Sequence, residues 1–369
     1  MEDSNIIPRS PAPVELNKVV DFLNKNLRLN VAWPINKEYP TAVSSANLHN
    51  ISIITDESAD KILSHALLKP FICKTPHAIF KIGAIGSVVT DPSARHQGLS
   101  TKNLENCIAK ANEQECDFII LWSDQHEFYR KFGFELAGFE HSFQISKTPP
   151  ILNKDFKFMK STRIDPAAIL KLYNQHTVNS VRTVDEVHQY LNIPNANVFT
   201  MWTPQNQLVA YAVEGKGIDL QNYIHEWGGS VPDVLDLLSY IVQSEKKSYT
   251  FMCPHHSTNL KNRLSLMSDF SNNGFLGLIK INNFERLASK LKKMFFAEGY
   301  DQIILEKKNG EIIFGHKTDL YTLKNEADFV KLVFGPTSIK DLGFVANETA
   351  QVLEKVLPLP LWVWGWDSV

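Results

Sequence analysis

Cysteine is scarce in this chain: its 369 residues hold four, at positions 73, 107, 116 and 253, and no two form a CxxC pair. That spacing suggests neither a disulfide framework nor a zinc site. An excess of one charge is also missing, since 38 Lys and Arg face 40 Asp and Glu, for a formal net charge of −2. A sequence-independent nucleic-acid binder needs a concentrated basic excess, so that class is set aside. No apolar run reaches the length of a membrane span. The opening Met1-Glu2-Asp3-Ser4 has no basic region followed by an apolar stretch, so no secretory signal is visible and a cytoplasmic protein is expected. What is present is an ordinary globular mix, 44% hydrophobic and 21% charged, long enough for two or three domains.

The stretch from Phe80 to Phe134 organises the rest. Ile82 to Val89 reads as an apolar strand, broken by Asp91-Pro92-Ser93-Ala94. After Ser100 the period changes, and Leu104, Cys107, Ile108 and Ala111 mark one face of a helix. Between them Arg95-His96-Gln97-Gly98-Leu99-Ser100 runs straight into the helix N-terminus. Successive backbone N–H groups, with the positive helix end behind them, suit such a loop to a phosphate. Gly98 lacks the Cβ that would hold a pyrophosphate away, and Arg95 adds fixed positive charge. Taken alone, a glycine before a helix is ordinary loop punctuation. The sequel adds weight: Phe118-Ile119-Ile120-Leu121-Trp122 reads as a strand buried on both faces, and Ser123-Asp124 and a short helix lead to Tyr129-Arg130-Lys131-Phe132-Gly133-Phe134.

Val88-Val89-Thr90-x-Pro92, Arg95-x-x-Gly98-x-Ser100 and Tyr129-x-x-Phe132-Gly133-Phe134 together resemble the GCN5-related N-acetyltransferases (GNAT). Ser100 stands where that family's loop usually ends in glycine or alanine, and it nearly keeps the size. The resemblance implies an acetyl-CoA-dependent N-acetyltransferase without a metal, moving acetyl to a primary amine by direct attack through a tetrahedral intermediate. It implies that Val88, Val89 and Thr90 bond the pantetheine arm as if it were another strand, a free amide there donating to the oxyanion. The pyrophosphate would lie on the loop of Arg95, His96, Gln97, Gly98, Leu99, Ser100 and Thr101, held by its amides from Gln97 onward, with the His96 ring facing solvent. Ser123 and Asp124 follow the central strand, where such sheets splay to admit the cofactor. Tyr129 matches the family's general acid; a phenol of pKa about 10 suits a leaving thiolate of similar basicity. Its plainer reading is a core aromatic. The acceptor is expected to be an amine-bearing small molecule or a peptide, with no nucleic-acid or membrane partner, and homo-oligomerisation is left open.

Taken in order, residues up to about Pro13 read as a loose arm and Val14 to Leu29 as a helix with Val19, Phe22 and Leu23 on one face. The Pro-, Asn- and Ser-rich stretch Trp33 to Asn50 could line a substrate cleft, Ile51 to Thr55 is a strand, and Asp60 to Leu68 fits helix or strand. Phe139 to Ile145 alternates as a half-buried strand, and Lys147-Thr148-Pro149-Pro150 reads as a linker. Beyond it Asp165-Pro166 and the Thr183–Glu186 capping box open helices, followed by strands at Asn197–Trp202, Leu208–Glu214 and Gln221–Trp227, a helix from Ser230 and a strand at Ser248–Met252. That order repeats the first domain. Its own loop, Gly228-Gly229-Ser230-Val231-Pro232-Asp233, has no arginine, loses one amide to Pro232, and carries Asp233 where phosphates would sit. No cofactor is expected there. His225-Glu226 lacks the second histidine of a zinc helix, and Cys253-Pro254-His255-His256 reads as a turn.

From Asn283 a helix (Phe284 to Phe295), a hairpin about Asn309-Gly310 and helices near Glu326–Val333 and Glu348–Val356 make a small unit similar to the sterol-carrier-like domain that closes some acetyltransferases. Trp362, Trp364 and Trp366 predict a buried tail. The expected fold class is α+β: tandem GNAT folds with mixed central sheets at 1–147 (catalytic) and 148–282 (degenerate), plus a C-terminal sterol-carrier-like domain at 283–369. The layout resembles the "enhanced intracellular survival" branch, whose terminal carboxylate enters the first domain's cleft as general base opposite the tyrosine; this implies Val369 here. Glu127 and His126 are further candidates for the base, both expected to face solvent. An alternative class is a non-catalytic acyl-CoA-binding sensor or scaffold. A third, lipid binding by the carrier-like unit, rests on fold analogy.

Overall fold

The computed structural model describes residues 7–345 and 347–369. The front of the chain gives α1 (Leu16–Leu27), α2 (Ile35–Glu38), β1 (Ile51–Thr55), β2 (Ile62–Lys74), β3 (Ile79–Thr90), α3 (Leu99–Glu113), β4 (Phe118–Leu121), α4 (His126–Arg130), β5 (Glu135–Ala137) and β6 (Glu140–Ile145). The middle gives β7 (Lys157–Lys160), α5 (Pro166–Tyr173), β8 (Asn179–Ser180), α6 (Val184–Leu191), β9 (Asn197–Trp202), β10 (Leu208–Lys216), β11 (Asp219–Gly229), α7 (Val231–Glu245), β12 (Tyr249–Pro254), α8 (Thr258–Met267), β13 (Phe270–Gly274) and β14 (Gly277–Ile281). The end adds α9 (Phe284–Ala297), β15 (Ile303–Lys308), β16 (Glu311–His316), β17 (Asp319–Leu323), α10 (Glu326–Phe334) and α11 (Glu348–Leu353).

Asp60 to Leu68, ambiguous by periodicity, falls largely within the long strand β2. Its ladder to β3 runs from Ser64↔Thr90 to Lys74↔Ile79, and such pairing on both edges overrides weak local preference. The start of the chain differs from a loose arm as far as it is described, from Ile7 on. Arg9 bridges Ile53 of β1 through its backbone and pairs with Glu15 at 2.7 Å; residues 1–6 lie outside the described residues.

Three sheets result: a front sheet in the order β1-β2-β3-β4-β14-β5 with β8 beside β2, a rear sheet β13-β6-β12-β11-β10-β9-β7, and a small antiparallel β15-β16-β17. Both large sheets are mixed, with one parallel pair each, β3 with β4 and β11 with β12. The rear sheet repeats the antiparallel run, the crossover helix and the parallel strand of the front one. The two also exchange strands. β6 follows β5 in the chain yet lies between β13 and β12, whereas β14 inserts between β4 and β5, Leu278 facing both Leu121 and Leu136. The sheets therefore do not divide at 147 and 282. Alternation marks Glu140–Ile145 as a strand but cannot say which sheet it joins.

In the front sheet β3 and β4 pair only at Ile82↔Phe118, Gly83↔Ile119 and Ala84↔Ile120, and β3 then runs on to Thr90 without β4. A bulge opposite Ala66 puts Ser87 at φ 50, and the buried His65 ring donates from Nδ1 to the Ser87 carbonyl at 2.8 Å. The rear sheet has the same parting, β11 and β12 pairing only at Tyr223↔Thr250 and Ile224↔Phe251. Phe334 of α10 packs on Phe118 with 4.8 Å between ring centres, which ties the C-terminal unit to the front sheet. Trp362, Trp364 and Trp366 are no more than 2% exposed. Among the described residues no helix is long and apolar enough to cross a membrane, and no group of three His, Cys, Asp or Glu is placed to hold a metal ion.

Strand exchange predicts how fragments behave. A 1–147 fragment lacks β14, leaving open edges on β4 and β5. Expressed alone it is expected to aggregate, and co-expression with 148–369 to restore a soluble complex by size-exclusion chromatography. A soluble, monomeric 1–147 fragment with native-like far-UV dichroism would contradict the exchange.

Candidate active site

Where β3 outruns β4 a cleft of about 860 Å³ opens. One wall is strand: Gly86, Ser87, Val88, Val89 and Thr90. The floor is the turn and first residues of α3, namely Arg95, His96, Gly98, Leu99, Ser100 and Thr101, and the far wall carries Trp122, Ser123, Gln125, Phe128 and Tyr129. Of the residues expected to hold the cofactor, Gln97 and Asp124 do not line the cleft; both side chains are exposed.

The α3 N-terminus is built for an anion. Gly98 is its N-cap at φ 73, no side chain caps the first turn, and no acidic residue lies in it. Those first amides have no partner within the helix. A Cβ on Gly98 would meet nothing within 4 Å, so glycine here answers to the left-handed backbone and not to crowding. Arg95 is exposed and has no ion-pair partner among the described residues. Thr90 and Ser100 hydroxyls meet at 2.7 Å, joining strand end to helix start. Buried Asn103 holds Ser64 at 3.0 Å and Ser52 at 2.7 Å, which roots α3 on β1 and β2. The rear helix α7 contrasts at every point: Ser230 caps it, the Asp233 carboxylate occupies its first turn, and Pro232 is its second residue. The cleft's residues thus fit a diphosphate with an extended arm, and the rear turn does not.

Tyr129 is 7% exposed, set edge-on to Phe128 and Phe134 with ring centres 5.0 and 6.0 Å away. Burial pushes its phenol above the ordinary range, the Ser123 hydrogen bond opposes this, and the Asp124 charge adds to it. The group keeps its proton at neutral pH and so can donate it. Asp124, outside the cleft, acts on the site through that charge. Glu127 is exposed and pairs with Arg130, and neither it nor His126 lines the cleft.

The chain's last residue enters the same cleft. Val369 lies against Gly86, where a Cβ would stand 2.7 Å from the Val369 carboxyl carbon. A glycine inside a strand marks such a close approach, the one signal from which the sequence could have pointed to Gly86. The open end of the cleft holds Asn26, Arg28, Ile35, Tyr39 and Asp219. Arg28 joins the buried Glu38 at 2.7 Å to Asp219 at 2.9 Å, and the Tyr39 hydroxyl donates to Asp219 at 2.5 Å. Ile35 and Tyr39 fall inside the Trp33–Asn50 stretch singled out as a cleft wall. Asp219 arrives from the rear sheet, and no local pattern announces it.

Residues 31–137 match the family model described as an acetyltransferase (GNAT) domain. The sequence has no match among curated proteins. In fold it is similar to a GCN5-related N-acetyltransferase from Anabaena variabilis (13% identity, 98% of this chain and 99% of that one, TM-score 0.67). It is also similar to a probable N-acyltransferase of unknown function from Enterococcus faecalis (13% identity, 95% and 96%, TM-score 0.64) and to Eis1 from Mycobacterium abscessus (9%, 94% and 95%, TM-score 0.60). At these identities the likeness speaks for the fold, and the domain match speaks for the chemistry of the front module. Residues 31–137 thus form a GNAT acetyltransferase domain, set in a chain whose fold as a whole is similar to those of these N-acyltransferases and of Eis1.

Proposed function

We propose that the protein transfers the acetyl group of acetyl-CoA directly to a primary amine of a small molecule or peptide, with residues 1–147 housing the catalytic module, 148–282 its cofactor-free counterpart, and 283–369 a sterol-carrier-like unit that brings the tail to the cleft. One observation carries the reading: an uncapped, acid-free helix N-terminus headed by Gly98, a buried phenol and a chain-terminal carboxylate all open into the same cleft.

In this reading the amides from Gln97 to Thr101 and the Arg95 guanidinium hold the pyrophosphate. The free edge of β3 from Val88 to Thr90 pairs with the pantetheine arm, and the bulge at Ser87 turns one amide toward the thioester oxygen. The Val369 carboxylate takes a proton from the incoming ammonium, so that a neutral amine attacks the carbonyl carbon. The C–N bond forms as the oxygen takes the electron pair. When the tetrahedral centre collapses the C–S bond breaks and Tyr129 protonates the leaving sulfur; the nitrogen's second proton then leaves and restores the Tyr129 phenol, while Val369 returns its proton to solvent. Base and acid enter from different chain segments on one cleft, as direct transfer without a covalent enzyme intermediate requires.

Two measurements test this. Titration calorimetry is expected to show coenzyme A binding, weakened about ten-fold by Arg95→Ala through loss of a charge-assisted contact. Absence of heat with the wild type would remove the cofactor assignment. Tyr129→Phe is expected to lower kcat by about two orders of magnitude with unchanged coenzyme A affinity. Wild-type turnover in that variant would remove Tyr129 as acid, and no acetylation of any amine in a broad panel would favour the sensor or scaffold.

A further inference from the structure

The rear module cannot use its strand-to-helix turn for an anion, yet its parting strands are not idle. Beyond the last β11–β12 pair at Ile224, the next residues of β11 meet the chain's tail. Gly365 lies on the His225 ring, where a Cβ would stand 1.9 Å from Nδ1, and Trp364 sets its ring edge-on to Trp227 at 5.3 Å. Between them Arg182 makes two bonds to Glu226, at 2.5 and 3.0 Å, and two to Asp367, at 3.0 and 2.7 Å. Ser180 and Tyr173 hydroxyls complete Asp367 at 2.6 and 3.3 Å. Lys216, 1% exposed at the end of β10, donates to the carbonyls of Gly365 at 2.9 Å and Ser368 at 2.6 Å and to the Ser368 hydroxyl at 3.2 Å. That uses all three protons of an ammonium.

Two buried basic and two buried acidic side chains meet here, burial bringing the Lys216 amine down to about 7. Apolar packing of similar volume would stabilise a tail with three buried tryptophans at least as well. What directional bonds add is position, since they fix residues 365 to 368 and leave the terminal carboxylate one residue away against Gly86. The two halves play matching parts: β11 receives the tail past its parting from β12, and β3 receives the tail's end past its parting from β4.

We propose that the cofactor-free rear module is the socket that aims the terminal carboxylate into the front cleft, with Lys216 and the Arg182–Glu226 pair as positioning residues. The catalytic side of this rests on Val369 being the base; the socket itself does not, and the tests separate them. Lys216→Met and Asp367→Asn loosen the tail from two independent sides, and retained coenzyme A binding by calorimetry reports that the front module is folded. In either variant carboxypeptidase is expected to release Val369 about ten-fold faster than from the wild type, read by mass spectrometry. For turnover, Lys216→Met is expected to lower kcat on the order of 10- to 100-fold at unchanged acetyl-CoA KM. In a chain lacking Val369 the same substitution is expected to cost no further activity, because the group it positions is gone. Unchanged carboxypeptidase release in both folded variants would overturn the socket. Full turnover after deletion of Val369 would overturn the base and its positioning together, leaving the release assay to decide the socket alone. An additive loss on the Val369-deleted chain would show that Lys216 acts on activity through something other than the tail.

Discussion

Parallel strands β3 and β4 share three residue pairs and then separate, which leaves the backbone of β3 from Gly86 to Thr90 without a neighbour on that side. Backbone donors and acceptors of a strand interior need partners, and a gap between parallel strands in the middle of a sheet is costly unless something else fills it. In the front module this stretch lines the cleft, and in the proposed reading the pantetheine arm completes the sheet there. Both walls of the cleft follow from that opening. The helix after β3 starts at the mouth of the gap with its amides free, and the residues after β4 put Ser123 and Tyr129 on the opposite wall. His65 and the Ser52–Asn103–Ser64 chain hold the strand end and the helix start in fixed relation, so the cleft's shape belongs to the core beneath it.

How much of this the sequence disclosed depended on whether the signal was local. The loop at Arg95–Ser100 was legible because turn, glycine and helix period follow one another within twenty residues, and Tyr129 because Phe132-Gly133-Phe134 trails it. Capping chemistry at Thr183 and Asp165 and the Asn309-Gly310 hairpin were legible for the same reason. The exchange of β6 and β14 was not: alternating residues state that one face is buried, and distant partners, such as Tyr249 for Ile145 and Leu278 for Leu121, decide which sheet buries it. Asp219 stayed silent likewise, since it belongs to the cleft only once the rear hairpin docks on α1 and α2 through Arg28 and Tyr39. Asp60–Leu68 was ambiguous because its own residues are ambiguous, and pairing with β1 and β3 settles it.

The rear module repeats the parting strands and fills them differently. Ser230, Pro232 and Asp233 close the anion turn, and a buried set of Arg182, Glu226, Lys216 and Asp367 occupies the parting strands in its place. Charges so deeply buried are kept only where every one is bonded. Here each is, and the bonds that Arg182 and Lys216 send to the tail fall on residues 365 to 368.

A polypeptide whose last dozen residues plug its own interior cannot finish its hydrophobic core until synthesis is complete. Trp362, Trp364 and Trp366 leave the ribosome well after the sheets they cover, and the strand exchange already obliges the front sheet to wait for residues 277–281. Premature termination anywhere in the final stretch would strip the plug from one half and the carboxylate from the other. Closure of both halves thus waits on Trp362 to Val369, and an affinity tag fused behind Val369 would have to crowd into the cleft beside Gly86.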